Sequence, residues 1–391
     1  MRIHRQRPAS RVAVFLGCVA AVASVWLGSA GSARAESKLL AETVEFTGAL
    51  LFLDMHVPGL VIGVVRNGET AVAGFGEIAD SSGRKPDGDT LLRIGSNTKA
   101  FTGAVLASLV ADGTVKLTDR LQDRLGWDVT IPERDGRAIR LIDLATHSSG
   151  LPREVERPPA SADDPFGTVT REACIAALKA DPLLFAPGTG VLYSNFAFDL
   201  LAQALAHAAG KPYVQLLAER VLQPMGMKDT VFDLRDGDAA RVMHGHDFDG
   251  SAMTLAPTPP MIMGAGGLYS TTNDMLRWLA WHLDRLATKD AEMRLIDHAA
   301  WLQRDGLDPV FALDEAGEMD AMGLGWVVLA PQGNRPLILQ KAGGLQGTFS
   351  YTAFAPTRGV GVFVAINEFN LAGALGMMKA ANDLIGQLAP R

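Results

Sequence analysis

Three short groups of residues could do chemistry together. Ser96 and Lys99 stand three apart, so on a helix the hydroxyl and the amine share a face one turn apart. A serine attacks a carbonyl only when a base takes its proton, and a lysine shielded from water has its pKa lowered enough to serve. Tyr193-Ser194-Asn195 follows the turn residues Pro187-Gly188-Thr189-Gly190. It offers a phenol able to pass protons and a carboxamide able to bind an amide, although Ser194 or Asn195 would serve equally well as a helix N-cap. Lys341-Ala342-Gly343-Gly344 follows the apolar run Leu337-Ile338-Leu339-Gln340. Its glycines let a backbone or ligand come close, and the Gly344 N–H could face an oxyanion; the alternative is a solvated lysine at a strand end.

Other chemistries lack their residues. There is no Gly-x-Ser-x-Gly elbow, so an α/β-hydrolase is not indicated. His244 and His246 have neither the spacing nor the acidic companion of a zinc site, and no His-Glu-x-x-His occurs. His147, in Thr146-His147-Ser148-Ser149-Gly150, reads as a packing and hydrogen-bonding residue at a helix end. Gly266 to Asp274 reads as a helix start with a near capping box.

The elements that must position these groups follow from hydrophobic pattern. Ala100 to Val110 is almost wholly apolar and is stopped by Gly113, so Ser96 and Lys99 should open a helix that is buried on several sides. Gly59 to Ala79 reads as two strands joined at Asn67-Gly68, after a helix over Leu39 to Leu53. Strands are expected at Leu324–Ala330, Leu337–Lys341, Thr348–Ala355 and Val360–Ile366, then a helix from about Leu371 to Leu388. Between lies a mainly helical middle, clearest at Leu141–Thr146, Arg171–Ala180, Ala197–Ala209 and Tyr213–Leu222, with a surface loop at Glu154–Phe166. Antiparallel strands from both ends should pair into one sheet, an α/β (α+β) fold flanked by the terminal helices and carrying a helical lobe. The sheet lobe is drawn over about 36–115 and 265–391, the helical lobe over about 116–264.

The first 35 residues read as an export leader. Arg2, Arg5, Arg7 and Arg11 precede an apolar stretch from Val12 to Ala30, and Ala33-Arg34-Ala35 supplies a small-x-small cleavage site. An uncleaved anchor is the alternative, since the stretch approaches spanning length. The leader carries five arginines and no acid, so the chain's 36 basic and 43 acidic side chains become 31 and 43, a formal charge of −12. That balance argues against nucleic acid or an anionic membrane as partner. Only Cys174 remains, so no internal disulfide can form.

Taken in order, Ser96-x-x-Lys99, Tyr193-Ser194-Asn195 and Lys341-Ala342-Gly343 resemble the motifs of the serine β-lactamase and penicillin-binding protein superfamily, in its class C-like branch. Leu144 to Arg153, Tyr193 to Leu201, Gly226 to Thr230 and Gly323 to Trp326 resemble the D-alanyl-D-alanine carboxypeptidase/endopeptidases within it. The resemblance implies a periplasmic hydrolase with Ser96 acylated by a D-Ala-D-Ala-type peptide or a β-lactam. Lys99 and Tyr193 would shuttle protons, and Asn195 would orient the substrate amide. Lys341 would support Tyr193 and the substrate carboxylate, and the N–H groups of Ser96 and Gly344 would form the oxyanion hole beside Gly343. It implies no metal or organic cofactor, and peptidoglycan peptides and β-lactams as ligands. A β-lactamase, a broad esterase and a penicillin-binding sensor without turnover are the alternatives on the same scaffold. One position departs from the pattern: Ala342 replaces the threonine usual there, whose hydroxyl would help hold a carboxylate.

Overall fold

The computed structural model describes residues 36–161, 164–180, 183–314 and 317–389; the expected leader over residues 1–35 lies outside them. Strands Gly59–Arg66 (β1) and Glu69–Gly76 (β2) pair from Arg66↔Glu69 onward. The two turn residues between them, Asn67 and Gly68, both have positive φ, 51° and 86°, the tight-turn geometry that suits twisted strands and that Asn-Gly tolerates.

Six further strands complete the main sheet: Leu302–Gln303 (β3), Ala321–Met322 (β4), Val327–Leu329 (β5), Ile338–Leu345 (β6), Thr348–Ala355 (β7) and Val360–Ile366 (β8). The order is β2-β1-β8-β7-β6-β5-β4-β3, antiparallel throughout. The two ends of the chain meet where β1 pairs with β8, Leu60 opposite Ile366.

Alternation along β1 and β8 divides the core in two. Leu60, Ile62 and Val64 point to one face with Val362, Val364 and Ile366. There they pack on the helix over residues 36–55 (α1) and on Leu371–Leu388 (α6), through Val44, Leu51, Met377 and Ile385. Val61, Val65, Phe363 and Ala365 point to the other face. They meet Thr98–Ala111 (α2) and Thr272–Leu283 (α4). Asn195–Ala209 (α3) and Ala291–His298 (α5) pack against α2 in turn. From Thr98 to Ala107 every residue of α2 is buried, as its unbroken apolar run requires.

The strand expected to end at Lys341 runs on through Ala342, Gly343 and Gly344 to Leu345, and four other local features depart from the sequence expectation. Ser96 lies in a short 3-10 turn, Gly95–Asn97, that precedes α2 rather than in its first α-helical turn. The strand expected over Leu324–Ala330 is confined to Val327–Leu329, because Gly325 takes φ of 81° and turns the chain. The helix expected over Tyr213–Leu222 is α-helical to Leu217 and then widens to a π-turn, Ala218–Leu222. β3 and β4 have two residues each, too short to show a period of two. No helix among the described residues is long and apolar enough to cross a membrane.

Candidate active site

The turn that carries Ser96 is clamped from three sides. Ile94 donates its N–H to Leu268 O at 3.0 Å, and Thr348 Oγ1 donates to Arg93 O at 2.9 Å. Asn97 Nδ2 donates to Ser350 Oγ at 2.8 Å, and that hydroxyl donates to Ile94 O at 2.9 Å. β6 then passes so close that side chains are excluded. A Cβ on Gly343 would fall 2.2 Å from Ile94 O and 2.7 Å from Ser96 N, and one on Gly95 would fall 2.7 Å from Gly344 N. Gly95 also has φ of 52°, in the left-handed region that glycine enters without a steric cost. The glycines of the third motif therefore bring the β6 backbone against the Ser96 turn. The N–H groups of Ser96 and Gly344 are thereby brought into one neighbourhood.

Lys99, one turn on, is completely buried, and each of its three N–H donors has an acceptor: Ser96 Oγ at 3.1 Å, Asn195 Oδ1 at 2.6 Å and Ala265 O at 2.7 Å. Burial lowers its pKa to about 7; Asp199 and Glu154 oppose the fall, and Arg153 adds to it. A neutral amine keeps two N–H donors and gains one lone pair. With Asn195 Oδ1 and Ala265 O still holding those two donors, the lone pair is left facing Ser96 Oγ. The arrangement is that of a base poised on a nucleophile.

Tyr193-Ser194-Asn195 crosses the opposite wall. Ser194 caps α3, its Oγ accepting from Ala197 N at 3.0 Å and donating to Pro152 O at 2.6 Å, so the capping expectation is met by Ser194 while Asn195 reaches Lys99. His147 holds the triplet from beneath: Ser194 N donates to His147 Nδ1 at 3.1 Å, and the imidazole lies 4.5 Å from the Tyr193 ring. Burial, with Lys341, Lys99 and Arg153 nearby, pushes the His147 pKa well down, so it acts as a neutral acceptor. Three cationic groups face the Tyr193 ring, Lys99 Nζ, Lys341 Nζ and the Arg153 guanidinium, each at 4.9 Å.

Ser96, Tyr193, Lys341, Ala342, Gly343 and Gly344 thus all border one cavity of about 600 Å³, whose far wall is apolar with Phe349, Phe369 and Met378. Ala342 enters it from the α6 side. Its cross-strand partner is Tyr351, whereas Lys341 and Gly343 alternate to the α2 side.

Two acidic residues at the site were not singled out in the sequence. Glu154 accepts a hydrogen bond from Asn195 Nδ2, so the whole Asn195 carboxamide is engaged by Lys99 and Glu154. Asp199 lies one turn after Asn195 on α3, is buried, and accepts from Ala265 N at 3.2 Å. Burial raises its pKa well above the usual carboxylate range, against the pull of Lys99. The signal was present: a lone acid inside the apolar run Phe196 to Leu205, four residues after a candidate site residue.

Residues 35–387 match the family model described as Beta-lactamase. The chain belongs to the beta-lactamase family. Within the beta-lactamase family it is 35% identical over 378 residues to the D-alanyl-D-alanine-carboxypeptidase/endopeptidase AmpH of Escherichia coli K12, covering 95% of this chain and 94% of that one. It also resembles the solved beta-lactamase/D-alanine carboxypeptidase of Yersinia pestis, with a TM-score of 0.81, 35% identity, and coverage of 90% and 98%. A class C beta lactamase from Rhodobacter sphaeroides shares the fold, with a TM-score of 0.71 at 21% identity over 88% and 99%. The protein is a serine hydrolase of the beta-lactamase family.

Proposed function

We propose that this serine hydrolase cleaves D-alanyl-D-alanine-type peptides of peptidoglycan through an acyl-enzyme on Ser96, as a carboxypeptidase/endopeptidase that also binds β-lactams. The observation that carries the reading is the buried Lys99 amine, satisfied by Asn195 and Ala265 and directed at Ser96 Oγ 3.1 Å away. Likeness to AmpH and to the Yersinia pestis carboxypeptidase supports the choice of substrate.

Lys99 takes the Ser96 proton as Oγ bonds to the carbonyl carbon, and the oxyanion is held by the N–H groups of Ser96 and Gly344. Tyr193 relays that proton to the leaving amine, the C–N bond breaks, and D-alanine departs. Water then adds to the ester and returns Ser96 to its hydroxyl form. Asn195 Nδ2 exchanges Glu154 for a substrate carbonyl, and Lys341 draws the terminal carboxylate into the cavity. Residues 1–35 act as a cleaved leader that delivers residues 36–391, two lobes of one catalytic domain, to the periplasm.

The test is a single comparison of purified protein on pentapeptide muropeptides, a chromogenic β-lactam and a neutral ester. D-alanine release with slow β-lactam turnover is the expected result. Rapid β-lactam turnover without D-alanine release would make the chain a β-lactamase, ester hydrolysis alone an esterase, and a lasting penicillin adduct with no product a sensor.

A further inference from the structure

A second convergence of ligating side chains lies away from the groove, where the C-terminal ends of α4 and α5 meet. His282 Nδ1 and His298 Nε2 are 2.7 Å apart, and Asp297 Oδ2 lies 3.6 Å from the first and 3.9 Å from the second. The point equidistant from these three atoms is about 2.0 Å from each, the length of a zinc–nitrogen or zinc–carboxylate bond. We propose that His282, Asp297 and His298 bind one borderline divalent transition-metal ion, of which Zn²⁺ is the natural probe, as a structural site distinct from the Ser96 groove.

Among the described residues no Lys or Arg side chain pairs with Asp297. Asp297 is fully buried, its Oδ1 has no hydrogen-bond partner, and among the described residues its ion-pair contacts are with those two imidazoles alone. The nearby Arg294 guanidinium is turned to Ala287 O and Lys289 O and lies over the Trp281 ring. A buried charge without a partner is costly, and coordination removes that cost. Two imidazoles and one carboxylate are a donor set that zinc and its neighbours accept.

The outer contacts suit a bound ion. Trp326 Nε1 donates to Asp297 Oδ2 at 3.0 Å and fixes the carboxylate. The His282 ring is enclosed by Phe354 at 4.7 Å, Trp278 at 4.7 Å and Trp326 at 5.3 Å. The free His282 Nε2 lies within this aromatic shell, where a ring face can receive its N–H. A cation also sits favourably at helix C-termini, and here two converge. The His298 side chain keeps 17% exposure, so this edge of the cluster meets solvent. The ion would staple the ends of α4 and α5 beside α2, since the Phe101 ring of α2 packs at a tilt on Trp278, 3.7 Å between centroids.

The experiment uses the protein purified without a histidine tag, stripped with chelator and titrated with Zn²⁺ or Co²⁺. The expected result is one equivalent bound, with the visible absorption of low-coordinate Co²⁺. Tm should rise by about 3–5 °C when free Zn²⁺ exceeds its Kd about a hundredfold. His298→Gln, at the partly exposed edge, should abolish the stoichiometric binding and the Tm response while leaving penicillin labelling intact. Absence of stoichiometric binding in the unsubstituted protein would overturn the proposal, and so would unchanged binding in His298→Gln.

Discussion

The groove around Ser96 and the cluster around Asp297 both bury an ionisable group near α2, and they satisfy it differently. Lys99 is completely buried, yet all three of its donors are matched by acceptors. Asp297 is as deeply buried, with one oxygen held by Trp326 and the other without a partner. The first adjoins Ser96, which borders a cavity of about 600 Å³, so a substrate can reach the nucleophile while Asn195 and Ala265 keep holding the amine. The second is walled by aromatic rings, so only a small ion could enter. Burial alone therefore does not mark a catalytic group; burial against a nucleophile that borders a cavity does.

The sharpest way to break that contrast is to remove the nucleophile or its base. Ser96→Ala and Lys99→Ala should each cut kcat for peptide hydrolysis by about 10³-fold or more, with Tm little changed in the first. Measured turnover, together with labelled penicillin and mass spectrometry, checks this; a persistent covalent adduct in Ser96→Ala would place the nucleophile elsewhere. The other cluster should answer in stability instead. Trp326→Phe removes the donor to Asp297 Oδ2 and should lower unfolding free energy by about 1–3 kcal/mol, read from denaturant melts, while kcat stays within about twofold.

Asp199 tests how far the groove depends on its hidden charge. Lys99 must be neutral to act, so with its pKa near 7 kcat/KM should rise with pH through neutrality. Asp199 pulls the Lys99 pKa upward. Asp199→Asn should therefore move the acid limb of the profile to lower pH. An unmoved limb with native circular dichroism would reduce Asp199 to a structural hydrogen bond. The smallest expected effect is at Ala342. A threonine there could add one hydrogen bond to a substrate carboxylate, raising kcat/KM for acidic peptides and β-lactams by about threefold to tenfold and leaving a neutral ester unchanged. Equal effects on both substrate types would show that position 342 does not meet the carboxylate.

Much of this was legible along the chain, because it depends on neighbours in sequence. The apolar runs of β1 and β8, the alternation of β7, the Asn67-Gly68 turn and the apolar run of α2 each encode an element through local pattern. Ser96 and Lys99 share a face for the same reason. Resemblance to a known family is what brings Tyr193, Asn195, Lys341 and Gly344 together in the sequence, since no periodicity links residues about 100 and 245 positions downstream of Ser96. Only the tertiary structure decided what surrounds them. The acceptor from Ala265, the Glu154 contact to Asn195 and the charge of Asp199 all come from segments distant in sequence from Lys99. The same holds for Asp297, an unremarkable acid at the end of a short helix until folding sets His282 and Trp326 against it. Local pattern fixes which way a side chain points; the pKa and partners it acquires depend on which distant groups exclude its water.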